Sequence, residues 1–247
     1  MRSRPLPDAT YETQAVDLYD PRPAAPGRSP SRLAVLFVHG GGWYGGSRDS
    51  YAGCAEHAAG LGHPAGTVGY RTHQGSSYRE KCEDVLAGWR LLAEECPDAE
   101  QICLVGSSAG AHLVTAFALG ERPADLLPLR GVVSMNGPGS MRPQNLLQAR
   151  ERIGQLGLSR AEIDLLDAPV ASPPVEWLFL HAEHETYFPH EHVAAMVERL
   201  EVAGHRTETV VVPGTEHGFG YRVLAHGGDR AELSATAVHG LWRRAAH

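Results

Sequence analysis

The pattern of apolar and polar positions predicts alternating strands and helices along most of the chain. Leu33–Val38 is a continuous apolar run, which is typical of a strand buried on both faces. Between residues 77 and 96 apolar side chains recur at helical spacing, and Pro97 ends this pattern. Because the alternation continues to the C-terminus, it favours an α/β fold with a mostly parallel sheet flanked by helices.

The predicted elements form a single domain over residues 1–247. The expected strands are 11–19, 33–38, 64–70, 102–105, 132–135, 176–181 and 207–212, and the expected helices are 50–61, 77–96, 110–119, 190–203 and 230–245. Residues 139–168 break the alternation, because Pro143 is followed by two short helical pieces at about 144–155 and 159–166. We interpret this segment as a small lid insertion.

Charge and composition restrict the classes of partner. The formal net charge of the 247 residues is −7, and no basic stripe is visible, which argues against nucleic-acid and anionic-membrane partners. The basic first residues run into Pro5 and Pro7 rather than an apolar signal segment, and no apolar run is long enough to span a membrane. The four cysteines show no CxxC pairing. We therefore expect a cytoplasmic protein with reduced thiols, and the oligomeric state stays open.

The segment Gly106-Ser107-Ser108-Ala109-Gly110 matches G-x-S-x-G. In a nucleophile elbow the serine lies on a strained strand-to-helix turn, and the flanking glycines avoid Cβ clashes with the neighbouring chain. A short apolar run precedes the motif and a helical pattern of small residues follows it, as the elbow requires. Ser108 is therefore the predicted nucleophile, whereas Ser107 lacks the glycine frame.

A second glycine-rich segment, His39-Gly40-Gly41-Gly42-Trp43, follows the apolar run 33–38. Backbone N–H groups of glycines are unobstructed, so two of them can bind a carbonyl oxygen as it becomes an anion. We predict an oxyanion hole formed by Gly41, Gly42 and Ala109, with Gly40 as an alternative donor. His39 is interpreted as a residue that braces the loop. Trp43 and Tyr70 are the predicted substrate contacts.

The acid and base are expected in chain order after the nucleophile, each just beyond one of the last two strands. Glu183 and Glu185 follow the strand 176–181, and Glu185 is favoured because it lies farther into the turn before Pro189. His217 follows the last strand in a glycine-containing loop and is the predicted base, with His226 as the weaker rival. Asp164 and Asp167 are the next candidates for the acid.

Metal and cofactor sites are not expected. The chain has fourteen histidines but no H-E-x-x-H pair, and the two rings of His190 and His192 diverge on a helix start. No G-x-G-x-x-G follows a predicted strand, and no Walker-type loop is present. A nucleotide cofactor is therefore not predicted.

Five segments together resemble the α/β-hydrolase superfamily, over about Tyr11 to the end of the chain. They are residues 16–21, 39–43, 70–71, 106–110 and 216–219, and they are most similar to feruloyl-esterase-like and hormone-sensitive-lipase-like carboxylesterases and to kynurenine formamidases. The resemblance implies a sheet of about eight strands and hydrolysis of carboxylic esters without a cofactor. Two positions depart from the family pattern: Glu185 stands where Asp is usual, and Ala182 where Gly is usual.

Three functional hypotheses follow from these motifs. The leading one is a serine carboxylesterase that hydrolyses a small or medium ester through an acyl-Ser108 intermediate. The second is an amide, formamide, lactone or thioester hydrolase acting on a biosynthetic intermediate. The third is a non-catalytic ligand-binding protein on the same fold, which would need a broken triad.

Overall fold

A single eight-stranded sheet organises the chain. The structure is a computed structural model that describes residues 1–22, 31–137, 139–140, 156–157, 164–222 and 229–246. The strands are β1 (Arg2–Pro5), β2 (Ala15–Tyr19), β3 (Leu33–Val38), β4 (Ala65–Val68), β5 (Gln101–Ser107), β6 (Leu129–Met135), β7 (Glu176–His184) and β8 (Arg206–Glu216). Their order in the sheet is β1-β2-β4-β3-β5-β6-β7-β8. The pairs β1·β2 and β2·β4 are antiparallel, and every other pair is parallel.

Helices cover both faces of this sheet. They are α1 (Ala52–Gly60), α2 (Tyr78–Glu95), α3 (Ala109–Leu119), α4 (His190–Val202) and α5 (Asp229–Ala245), with 3-10 turns at Arg48–Tyr51 and His217–Arg222. Strand β3 is buried on both sides: Leu36 packs with the core under α2, α3 and α4, and Phe37 packs with the core under α1 and α5. Burial on both faces explains why the strand reads as one apolar run. Within the described ranges no helix is long and apolar enough to cross a membrane.

The predicted α/β-hydrolase fold with a mostly parallel sheet is confirmed, and the differences are the bounds of several elements and one additional strand. The opening strand is shorter than expected and begins at Ala15, whereas β7 and β8 continue to His184 and Glu216. Strand β1 was not predicted, because four exposed residues carry no apolar alternation. Its edge position, paired with β2 only, explains why such a polar segment is tolerated there.

The predicted lid insertion, residues 139–168, falls mainly outside the described residues. Its two ends are described and lie together: the backbone N–H of Leu166 donates to the Gly139 carbonyl at 3.0 Å, and the Ser140 hydroxyl donates to the Asp164 carboxylate at 2.8 Å. Leu156 and Leu165 are buried in the core beneath α2, α3 and α4. The two described ends of the segment therefore lie next to each other.

Helix α2 approaches β4 closely at Gly88, which gives a stability prediction. A Cβ at this position would lie 2.4 Å from Cγ2 of Val68, a stiff and fully buried side chain. Gly88→Ala should therefore lower the free energy of unfolding by roughly 1–2 kcal/mol despite its gain in helix propensity. Denaturant unfolding measures this change.

Gly60→Ala is the matched control, because Gly60 also lies in a helix but a Cβ there would meet nothing within 4 Å. Its free energy of unfolding should stay the same or rise by up to about 1 kcal/mol. Equal losses in the two variants would contradict the close packing of α2 on β4.

Candidate active site

Five consecutive parallel strands end at one edge of the sheet, and each is followed at once by a polar residue. These residues are His39 after β3, Ser108 after β5, Asn136 after β6, Glu185 after β7 and His217 after β8. Carboxyl ends of parallel strands are the usual place for sites in open α/β sheets. The topology therefore brings together residues that are far apart in the chain.

Ser108 occupies a strained turn between β5 and α3. Its φ and ψ are 53° and −118°, a conformation that non-glycine residues rarely adopt. The turn is possible because a Cβ on Gly106 would lie 2.5 Å from the Gly110 backbone, and one on Gly110 would lie 2.1 Å from the Val38 carbonyl oxygen. The absence of a Cβ at the two glycines of the motif therefore allows the backbone of the elbow to pack closely on itself and on the end of β3.

The three residues predicted as the triad lie in one hydrogen-bonded chain. Nε2 of His217 is 2.9 Å from the Ser108 hydroxyl oxygen, and Nδ1 of His217 is 2.7 Å from Oε2 of Glu185. A carboxylate accepts only, so Nδ1 carries the proton and Nε2 is the acceptor for the serine hydroxyl. In this tautomer the imidazole is ready to take a proton from Ser108.

Glu185 rather than Glu183 contacts the imidazole. The Glu185 side chain has no exposed surface, and its Oε1 accepts the backbone N–H of Tyr187 at 2.8 Å. Burial raises the pKa of Glu185, but the hydrogen bond and charge of His217 and the backbone donors outweigh this, so the pKa is lowered overall. Glu183 lies within β7, where its carboxylate accepts the Gly214 N–H at 2.7 Å. The two glutamates therefore have different partners.

The loop after β3 is a tight turn closed on itself. Gly41, Gly42 and Trp43 all have positive φ angles, of 111°, 60° and 64°. The Gly45 N–H donates to the Gly41 carbonyl at 2.9 Å, and a Cβ on Gly41 would lie 2.3 Å from the Gly45 carbonyl oxygen. A left-handed tryptophan is unusual, so the loop is held in a conformation that its local sequence does not favour.

His39 and Tyr70 hold the backbone at the start of this loop. The His39 Nδ1–H donates to the Gly40 carbonyl at 2.8 Å, and the two rings stack with centroids 4.2 Å apart. The Tyr70 hydroxyl donates to the His39 carbonyl at 3.0 Å, and the side chain has no exposed surface. Burial lowers the pKa of His39 to about 4. This placement favours a bracing role for Tyr70 over the predicted substrate contact.

Trp43 connects the loop to the helix that follows Ser108. Its ring meets the His112 ring edge-on at 5.4 Å, and the Tyr78 hydroxyl lies 3.0 Å from Nδ1 of His112. Trp43 is only 5% exposed, so most of its ring is packing surface rather than open pocket wall. Ala109, the third predicted oxyanion donor, opens α3 one residue after Ser108. The loop and the elbow are therefore held together by one aromatic cluster.

Comparison with known proteins agrees with this architecture. Residues 35–220 match the family described as the alpha/beta hydrolase fold, which is most of the chain. The chain belongs to this family. An ethyl acetate hydrolase of Pseudomonas putida is 29% identical over 235 residues, covering 84% of this chain and 71% of that protein. Esterase LipU of Mycobacterium tuberculosis is 27% identical over 216 residues, covering 76% and 71%.

Solved structures of two esterases share the fold of this hydrolase. Esterase B of Lactobacillus rhamnosis superposes with a TM-score of 0.80 at 17% identity, over 99% of this chain and 86% of that one. Propionate-bound esterase 2 of Thermogutta terrifontis superposes with a TM-score of 0.70 at 20% identity, over 92% and 89%. At these identities the likeness concerns the fold alone.

Several residues of the hydrolase near His217 were not found by sequence reasoning. The exposed Tyr187 ring contacts the His217 ring at 4.8 Å, and the Phe188 ring lies 5.6 Å away. Nε2 of His181 donates to the Phe188 carbonyl at 3.2 Å, which ties the loop that carries Glu185 back to β7. Tyr187 and Phe188 form no distinctive pattern in the sequence. Their position beside His217 becomes visible only where the loop after β7 meets the loop after β8.

The rival residues have other placements. Asp164 accepts the Ser140 hydroxyl, and His226 lies outside the described residues. Asp167 donates its backbone N–H to the Asp164 carbonyl at 3.1 Å in the same turn. Among the described residues, no three His, Cys, Asp or Glu side chains cluster as metal ligands. These hydrogen bonds of Asp164 and Asp167 do not involve His217, whose carboxylate contact is with Glu185.

Two buried neutral histidines give the hydrolase a defined acid sensitivity. Burial lowers the pKa of both His39 and His181 from 6.5 to about 4. Between these values the unfolded chain binds more protons than the folded protein, so the free energy of unfolding should fall as pH falls from about 6.5 to about 4.

His181→Gln retains a donor for the Phe188 carbonyl and removes one of these imidazoles. Denaturant unfolding across this pH range should then show that the variant takes up about one proton fewer on unfolding than the wild-type protein does. A slope identical to that of the wild-type protein would contradict the neutral buried His181.

Proposed function

We propose that this protein is a serine carboxylesterase that hydrolyses a small or medium carboxylic ester through an acyl-Ser108 intermediate. The observation that carries the proposal is the continuous hydrogen-bond chain from Ser108 through His217 to Glu185, formed at a strained elbow. A serine hydroxyl is a weak nucleophile, and an adjacent oriented imidazole is the arrangement that activates it.

The reaction proceeds in two halves. His217 takes the Ser108 proton as the serine oxygen attacks the ester carbonyl carbon, and the carbonyl oxygen becomes an anion. The backbone N–H groups of Gly41, Gly42 and Ala109 stabilise this anion. His217 then returns the proton to the leaving alcohol, and the acyl group stays on Ser108. A water molecule activated by His217 cleaves the acyl-serine, releasing the carboxylic acid and restoring the hydroxyl.

Burial differs along the triad in a way that suits these roles. The Glu185 side chain is fully buried, the His217 side chain is 22% exposed, and Ser108 is partly exposed. A buried carboxylate with a lowered pKa stays ionised and stabilises the imidazolium that forms in each half-reaction. The partly exposed serine remains accessible to an ester. No cofactor is needed for this chemistry.

The names of the related proteins favour esters with short acyl chains. The Pseudomonas relative is an ethyl acetate hydrolase, and structures of the Thermogutta esterase hold propionate or butyrate. The Lactobacillus esterase was inhibited by a tributyrin phosphonate. We propose acetyl to butyryl esters as the first substrates to examine. We propose the exposed Tyr187 ring, which lies beside His217, as a contact for the ester.

Removing the nucleophile tests the proposal directly. Ser108→Ala should lower kcat for p-nitrophenyl acetate by about 10⁴-fold or more, because the acyl-enzyme can no longer form. Wild-type protein should react with a fluorophosphonate probe at Ser108, as found by mass spectrometry, and the variant should not.

Ser107→Ala is the matched control, since Ser107 is the neighbouring serine but is buried at the end of β5. It should keep kcat within a few-fold of the wild type. Residual activity above about a tenth of the wild-type value in Ser108→Ala would refute the assigned nucleophile.

The two glutamates give a second test. Glu185→Gln should lower kcat by roughly 10²- to 10⁴-fold, because an amide favours the wrong tautomer of His217. Glu183→Gln preserves an acceptor for the Gly214 N–H and should change kcat by less than about tenfold. Steady-state kinetics on p-nitrophenyl butyrate measures both. If the two effects are exchanged, Glu183 rather than Glu185 is the acid.

A further inference from the structure

Asn136 is a buried amide in the middle of the strand ends that carry the site. It follows β6 directly, has no exposed surface and has a φ of 47°. Its backbone N–H donates to the Leu180 carbonyl at 3.0 Å. Its side-chain oxygen accepts the Ala182 N–H at 2.8 Å, and its side-chain nitrogen donates to the His217 carbonyl at 2.7 Å. Both ends of the amide are therefore engaged.

These contacts join the end of β6 to strand β7 and to the residue that follows β8. The preceding residue, Met135, accepts the backbone N–H of Ser108 at 2.9 Å, so the same dipeptide also contacts the elbow. Strand β8 is not a neighbour of β6 in the sheet, because β7 lies between them. The Asn136 side chain therefore reaches past β7 to hold the residue that follows β8.

The chemistry at this position requires a carboxamide. The group must donate to one carbonyl and accept from one N–H, and asparagine is the shortest side chain that carries both functions in a rigid plane. Asparagine also tolerates the left-handed backbone better than most residues. A buried amide with both partners satisfied has one orientation, so it fixes the distance between the groups that it joins.

We propose that Asn136 is the positioning residue of the base: its amide holds the backbone of His217 in register with Ser108 and with the strand leading to Glu185. This inference rests on the proposed esterase function. Asn136 contacts no reacting atom and acts through the backbone of His217. Small displacements of a general base are costly, since a shift of about 1 Å can slow a reaction by on the order of 10²-fold.

The test is Asn136→Gly, which keeps the left-handed backbone and removes both side-chain hydrogen bonds. With p-nitrophenyl butyrate, kcat should fall by about 10- to 100-fold while KM stays within about threefold, because the pocket and the oxyanion loop remain. The second-order rate of labelling by a fluorophosphonate should fall in parallel. If this variant is not recovered folded, Asn136→Ser replaces it, since one hydroxyl cannot bridge both groups.

Gln14→Ala is the matched control, because it removes another buried amide that is hydrogen-bonded at both its oxygen and its nitrogen. Gln14 is 2% exposed, accepts the Thr10 N–H at 2.8 Å and donates to Asp84 at 2.8 Å, and neither partner lies in a loop that carries Ser108, Glu185 or His217. Gln14→Ala should lower Tm by about as much as Asn136→Gly does, and its kcat should stay within about twofold of the wild-type value.

Three results would overturn the inference. These are a kcat of Asn136→Gly within about twofold of wild type, a KM that rises in proportion to the loss of kcat, or an equal loss of kcat in Gln14→Ala. The first and third results would assign Asn136 to general stability, and the second would assign it to substrate binding. A wild-type protein that is not labelled at Ser108 would instead refute the proposed esterase function, so the two failures are distinguishable.

Discussion

The site depends on the contact between the first turn of α3 and the end of β3. A Cβ on Gly110 would lie 2.1 Å from the Val38 carbonyl oxygen, so backbone meets backbone there with no room for a side chain. This approach places the helix that carries Ala109 against the loop that begins at His39. The elbow and the glycine-rich loop are thereby held at one distance, which a pair of flexible loops would not maintain.

Around this contact, the loop conformations are maintained by partners rather than by local preference. Ser108 and Trp43 both have positive φ angles, and neither residue type favours them. The strain is offset by tertiary contacts: Ser108 donates its N–H to Met135, and Trp43 packs on His112. A strained backbone that is held from several sides is preorganised for its chemistry, since it does not relax when the substrate leaves.

The polar groups inside the site are arranged so that few of them carry charge. His39 and His181 are buried and have pKa values lowered to about 4, so each serves as a neutral hydrogen-bond donor to a loop carbonyl. Glu185 is the buried carboxylate, and it accepts from His217 and from backbone N–H groups. One negative charge among neutral supports concentrates the electrostatic stabilisation on His217, where positive charge develops during the proposed reaction.

The sequence by itself determined those features that near neighbours in the chain encode. Ser108 was predicted as the nucleophile because an elbow needs two glycines, a preceding strand and a following helix within about a dozen residues. The sheet class followed from apolar runs, since burial on both faces leaves no polar alternation. Only the tertiary structure decided which glutamate contacts His217, that Tyr70 lies beneath the loop, and that Asn136 joins the strand ends. These depend on where separate loops meet in space. Position in the turn before Pro189 favoured Glu185, but periodicity does not separate Glu183 from Glu185, because residues two apart on an extended segment face the same side.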